Sequence, residues 1–316
     1  MVKWVYKEVD LAAARKAARD GAKNVISLAA TSIGLEEPPY LTESDELVMV
    51  RFYSAKTSEL CQIANLPAKV KFTAVILMLR FFANQSAMMH DPGVLMFTCA
   101  FLACKLEEYH RVSLKQMLND AEMKSIGVEE VLGAELTLLE GIGFEISITN
   151  CLTVINGLAE FWMHMKTAGD VSSIMEKLSA DTIKENGKKI KATATEIVLE
   201  HLSSDIFLRF ETGEVACGAV MFASDGLDLQ PEEFWKKRMA NEAHMDRVQE
   251  VRKWLTQAGQ DVDPDRFRQA ALKAKKIKKF LKKLRKKRAG DSRPASRPSS
   301  PPRSRQGSPR ASPVSS

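Results

Sequence analysis

The chain has 316 residues, of which 45% are hydrophobic and 27% charged, enough apolar material for two domains with cores of their own. Its net charge of +6 hides a division: residues 271–316 hold 16 Lys or Arg against one acid, Asp291, while the remainder holds 30 bases and 39 acids. A mildly acidic body does not look like a nucleic-acid grip, whereas the basic tail invites polyanions or nuclear import factors.

Five scattered cysteines, Cys61, Cys99, Cys104, Cys151 and Cys217, argue against a disulfide framework by their odd number. Cys99 and Cys104 fall on different faces of a helix, poor geometry for a metal, so all five read as buried thiols of a reducing compartment. Residues 1–20 carry Lys3, Asp10, Arg15 and Arg19 and lack the apolar run of a secretory leader. The uncharged stretch from Gly93 to Cys104 falls short of the roughly 18 residues that cross a bilayer, so no membrane association is expected.

Helix signals dominate from the start. "DLAAARKAARDG" offers Asp10 as a cap, an Ala-rich interior and Gly21 as a stop; a loop follows through Pro38 and Pro39. "SDELVMVRFYSAKTSELCQIA" begins from Ser44, and "PAKVKFTAVILMLRFFA" places Pro67 at a helix start. "DPGVLMFTCAFLACKLEE" has Asp91 as cap and Pro92 at the first helical position. It is apolar nearly all round and belongs in the middle of a bundle. A short "SLKQML" and then "VEEVLGAELTLLEGIG" give five helices between about residues 44 and 143, the third central.

The next stretch reads as a second, weaker bundle. "TNCLTVINGLAEFWMHM" is amphipathic, and the polar "DTIKENGKKIK" precedes the apolar "ATEIVLEHL". "GEVACGAVMFA" has the small residues of a central helix, and "PEEFWKKR" and "MDRVQEVRKWL" complete a second set of five. From Pro264 a helix can run to Arg288, with Ile277, Phe280, Leu281 and Leu284 forming an apolar stripe among eleven Lys or Arg. From Gly290 onward Ser, Pro, Arg and Gly take over, a composition that does not fold.

Lys105 stands out at the end of the apolar third helix. Taken alone it reads as a Lys carrying its charge to water, favoured by the helix dipole. The stretch "MFTCAFLACKLEE", however, resembles the third helix of the first cyclin box, above all in the cyclin H branch of that family. "LRFFANQSAMMHDPGVLM" is similar to the family's second helix and the turn after it, "GAELTLLEGIGFEI" to the fifth helix and its exit, and "KWVYKEVDLAAARKAAR" to the N-terminal helix.

The resemblance implies an all-α fold of two five-helix cyclin boxes in tandem. Residues 1–43 then form an N-terminal helix and linker, 44–148 the first box, 149–258 the second, 259–288 a basic helix and 289–316 a disordered tail. It also implies that Lys105 pairs with Glu135 and that both contact a cyclin-dependent kinase near its regulatory helix, with Leu106, Phe144 and Ile146 adding apolar contact. A regulatory subunit of a CDK-activating kinase follows, nuclear, serving kinase activation loops and the RNA polymerase II C-terminal repeat, with a MAT1-like assembly factor and TFIIH as further partners.

The first helix reads "MVRFYSAKTSELC" where cell-cycle cyclins carry a Met-Arg-x-Ile-Leu type motif and a Trp, which favours a transcription-type cyclin. In the second box, Thr212-Gly213-Glu214-Val215-Ala216 stands where Pro-Ser-x-Ile-Ala is usual, and residues 181–191 read as an insertion. The alternatives are another transcriptional cyclin (L-, C- or K-like) and a TFIIB-like DNA-binding factor, which predicts a basic body and a zinc ribbon.

The cluster Lys282, Lys283, Arg285, Lys286, Lys287 and Arg288 reads as a nuclear-import signal, a solvated helix face or a sequence-blind phosphate binder. Direct nucleic-acid binding is expected only through this tail. Ser300, Ser308 and Ser312 each precede a Pro and are candidates for phosphorylation by proline-directed kinases. Catalysis, cofactors and metals are not expected. Gly141-Ile142-Gly143 ends a helix and lacks a third Gly, with Ile146 in its place; His90, His110, His164, His201 and His244 show no HExxH spacing.

Overall fold

Capping chemistry sets several of the helix boundaries. A computed structural model describes residues 4–122, 125–164, 178–227, 242–257 and 263–291, and every regular element among them is an α-helix. The first, α1 (Glu8–Ile33), runs straight through Gly21, because one helical glycine costs only about 1 kcal/mol. Termination waits for Gly34, whose φ of 61° is the left-handed conformation a chain reversal needs. The Leu35 amide then donates to the Ala30 carbonyl at 3.1 Å. Neither the Asp10 cap nor the Gly21 stop read from the sequence is used.

Helix α2 (Glu43–Ile63) takes its N-cap from Thr42, two residues before the expected Ser44. Thr42 forms a capping box: its hydroxyl accepts from the Asp45 amide (3.2 Å), and its own amide donates to Asp45 Oδ2 (2.9 Å). α3 (Ala68–Asn84) follows Pro67, and α4 (Pro92–Leu106) is capped by Asp91, which accepts from the Gly93 amide at 2.9 Å. α5 (Leu114–Asp120) is capped by Ser113, and α6 (Val128–Gly141) ends at the predicted glycines. Twelve of the fifteen residues of α4 are buried, and α2, α3, α5 and α6 all pack on it. The apolar periodicity of α4 therefore has no outward side except at its end.

The second group comprises α7 (Cys151–His164), α8 (Ala180–Glu200), the single turn α9 (Ile206–Arg209), α10 (Thr212–Asp225) and α11 (Glu242–Leu255). Residues 181–191, read as an insertion in the sequence, fold as regular helix. They are the front half of α8, continuous with its apolar end, and Ile183, Gly187, Ile190, Ala194 and Val198 make one buried row. The polar letters that mask this row all lie off it. α10 takes the central position, touching α7, α8 and α11. A side chain at Gly218 would overlap Val251, so the small residue there is what lets α10 and α11 approach. "PEEFWKKR" lies outside the described residues.

The last helix, α12 (Pro264–Asp291), returns to the first group and packs on α2 and α1. Ile277, Phe280 and Leu284 are buried, and Phe267 stacks on Phe52 of α2 with ring centroids 3.7 Å apart. Lys273 pairs with Asp45 at 2.7 Å, and Lys278 with Asp91. Lys287 donates to the Ile33 carbonyl at 2.7 Å, at the negative end of the α1 dipole. The basic helix is thus docked on its apolar stripe, which rules out the freely solvated reading for that side. α1 in turn reaches the second group. Arg15 holds Asp205, just before α9, through two hydrogen bonds of 2.6 and 2.9 Å.

Candidate functional site

The exposed end of α4 meets α6. Lys105 Nζ lies 2.6 Å from Glu135 Oε1 and 2.8 Å from Oε2, so the two residues singled out in the sequence are in direct contact. The same ammonium sits 4.7 Å from the centroid of the Phe101 ring, one turn back on α4. With the Lys105 side chain 43% exposed and Glu135 23%, the pair is fixed from below and open above.

The two acids that follow Lys105 do not compete for it. Glu107 turns away, accepting from the Thr73 hydroxyl at 2.5 Å and pairing with Lys69 at 3.5 Å. Cys104, beside Lys105, is buried, and burial pushes its thiol up to about 11. Burial likewise raises Cys61 to about 12 and Cys217 to about 11, and lifts Cys99 and Cys151 further. Thiols held this way are poor nucleophiles. Among the described residues no three His, Cys, Asp or Glu side chains group to hold a metal ion.

Around the ion pair the surface is apolar. Leu132 is 44% exposed and Leu136 is 57% exposed; with Val128 they form a row at i, i+4, i+8 along the outer side of α6, beside Glu135. The other predicted contact residues are placed unequally. Leu106 is half-buried against the core, whereas Phe144 and Ile146 stand well exposed just past α6. Phe144 has a φ of 58°, a conformation that costs a bulky residue about 1–3 kcal/mol. Its amide donates to the Leu139 carbonyl at 2.7 Å, so this strained residue, where glycine is usual, closes the helix.

Sequence reasoning missed Leu132, Leu136, Val128 and Phe101 as surface residues. The signal existed: "VEEVLGAELTLLEG" has more apolar positions than its buried residues, Val131 and Leu138, require, and the surplus falls on a second row.

Of the import candidates, Lys282, Lys283, Arg285 and Lys286 are exposed on α12 and Lys287 is tied to Ile33; the side chain of Arg288 lies outside the described residues. Ser300, Ser308 and Ser312 also lie outside them.

Residues 48–147 match the family Cyclin, N-terminal domain, a span that takes in most of α2, all of α3–α6 and every residue of this face. The chain carries a cyclin domain. The cyclin mcs2 of Schizosaccharomyces pombe is 25% identical over 236 residues, 72% of this chain and 68% of that protein. Cyclin-H of Xenopus laevis is 26% identical over 210 residues, 63% of this chain and 60% of that protein. Among solved structures, a chain of the CAK complex of Chaetomium thermophilum superimposes with a TM-score of 0.73, at 20% identity and 95% coverage of both chains. A chain of the yeast TFIIK (Kin28/Ccl1/Tfb3) complex does so with 0.59, covering 80% of this chain and 96% of that one. These likenesses show that the fold shared with the two chains extends beyond the matched domain.

Proposed function

We propose that this chain is a cyclin H-like regulatory subunit that binds and activates a cyclin-dependent kinase within a CDK-activating, TFIIH-type assembly. The observation that carries the reading is the Lys105–Glu135 pair, held open between Leu132, Leu136, Phe144 and Ile146 at the edge of the cyclin domain. A fixed cation and anion ringed by exposed apolar side chains is the composition of an interface centre. The related cyclin H proteins, and the CAK and TFIIK complexes that contain similar chains, support the partner class.

A protein kinase transfers phosphate only when its strand lysine pairs with a glutamate of its regulatory helix. A surface that fits the paired position and not the other shifts the population. Moving a kinase from 1:99 to 99:1 takes about 5.5 kcal/mol of differential affinity, within reach of a standard interface of roughly 1,600 Å². The rigidity of α4, buried along its length, fixes where Lys105 stands and makes the fit selective. The chain supplies no catalytic group in this account, and it acts in the nucleus with a MAT1-like third subunit. The cluster at 282–288 serves import.

Lys105→Glu tests the reading. Kinase affinity is expected to fall at least about tenfold, which is about 1.4 kcal/mol, with activation lost in parallel. The melting temperature should move by only about 2 °C, because an exposed pair contributes about 0–1 kcal/mol. The swap Lys105→Glu with Glu135→Lys restores the internal pair but reverses what a partner meets. Recovery of kinase binding in the swap would reduce the pair to a structural role.

A further inference from the structure

Helix α3 carries a single charge after Lys71. From Phe72 to Asn84 every side chain is uncharged except Arg80, whose neighbours Leu79, Phe81 and Phe82 are all buried. A cation in such a place costs free energy unless something holds it. Burial pushes the Arg80 guanidinium down to about 10, against the opposing pull of Glu145 and Tyr6, so the group stays charged at neutral pH.

What holds it lies past the end of α6. Arg80 Nη1 donates to the Ser147 carbonyl at 2.9 Å and to the Glu145 carbonyl at 3.3 Å. The guanidinium also lies over the ring of Trp4, 5.5 Å from its centroid, and Trp4 is itself buried. Tyr6 ties down the same stretch from two sides. Its amide donates to the Leu208 carbonyl at 2.7 Å, and its hydroxyl accepts from Asn84 Nδ2 at 3.0 Å.

The two carbonyls flank Ile146, and Phe144 stands just before them. Both of those side chains are well exposed, so packing of their own does little to hold either in place. The amides of this run bond only locally: Phe144 to the Leu139 carbonyl, Glu145 to that of Ile142, Ile146 to that of Phe144. Arg80 is what ties the run to a buried helix more than sixty residues earlier.

We propose that Arg80 is a positioning residue for the kinase face, setting where Phe144 and Ile146 stand through the backbone at 145 and 147. The inference rests on the kinase assignment of that face and adds the device that presents it. Lysine is a poor substitute here, because a compact ammonium does not lie flat against an indole as a planar guanidinium does.

The test is a double-mutant cycle on the full chain, read as affinity for the cyclin-dependent kinase that copurifies with it from its own cells. Arg80→Met keeps the apolar stem and removes both hydrogen bonds. It should weaken binding at least about fivefold in the wild-type background, and less than about twofold where Phe144→Ala and Ile146→Ala are already present. Arg80→Lys should follow the same pattern and carries the cycle if Arg80→Met does not fold. Hydrogen exchange on the free chain reads the grip itself. The amides of Glu145 and Ile146 should exchange at least about fivefold faster in the Arg80 variant, with those of α4 unchanged; a merely structural arginine would move both together. The proposal is overturned by equal loss of affinity in the two backgrounds, by undiminished binding of the Arg80 variant, or by exchange at 145 and 146 that stays constant or rises in step with α4. A wild-type chain that binds no kinase, with exchange responding as expected, would overturn the kinase assignment instead and leave only the grip of Arg80 on the segment.

Discussion

Phe144 concentrates the conflict between folding and function in one residue. It occupies a left-handed position at the end of α6 and shows its ring to solvent, so the fold gains little from its identity. Phe144→Gly should therefore stabilise the isolated chain or leave it unchanged, by up to about 1 kcal/mol, as relief of strain offsets added freedom in the unfolded state. The same change should weaken kinase binding at least about tenfold by removing an exposed aromatic anchor. Calorimetry and a binding isotherm on one preparation check both signs; a destabilised variant with intact binding would assign Phe144 to the fold. Lys105 was legible in the sequence because it is the lone charge ending an apolar helix. Its pairing with Glu135 entered through family resemblance, since no spacing rule links positions thirty apart. Leu132 and Leu136 were hidden, because letters alone do not tell a surplus leucine from a core one.

Boundaries between elements depend on local chemistry that sequence shows only partly. The Asp91–Pro92 start of α4 was legible because cap and first-turn residue agree. The Thr42 box was not, because Ser44 competes for the same role. Joining elements depends on contacts distant in the chain. Burial pushes the Asp205 carboxyl up, but the Arg15 hydrogen bonds and the charges of Arg15, Arg51 and Arg209 outweigh it and hold the group below the ordinary carboxylate value. A depressed carboxyl contributes its full stability above its unfolded pKa near 4 and loses it as pH falls through the folded value. Asp205→Asn should cost about 1–3 kcal/mol at pH 7, and the gap to the wild type should close below about pH 4. Urea titrations across pH 7 to 3 measure it; a gap that widens in acid would contradict the assignment.

At the scale of the molecule, the all-helical class and the central places of α4 and α10 followed from apolar periodicity and small-residue content. The seat of α12 did not follow. Its anchors, Asp45 and Asp91, lie 228 and 187 residues from their lysines, and a basic amphipathic stripe reads equally well as solvated, import-competent or phosphate-binding. Docking gives that helix one face for the core and leaves its basic residues exposed on the other, while its packing on α1 and α2 leaves the Lys105–Glu135 face of α4 and α6 clear. The central claim is kinase binding at the Lys105–Glu135 face, and the most direct measurement is quantitative recovery of a tagged full-length chain from its own cells. The account predicts one cyclin-dependent kinase in about equimolar amount, active in the eluate, and lost when the bait carries Leu136→Glu and Lys105→Glu together. Recovery without any protein kinase, or with the same kinase at undiminished yield from the doubly altered bait, would contradict it.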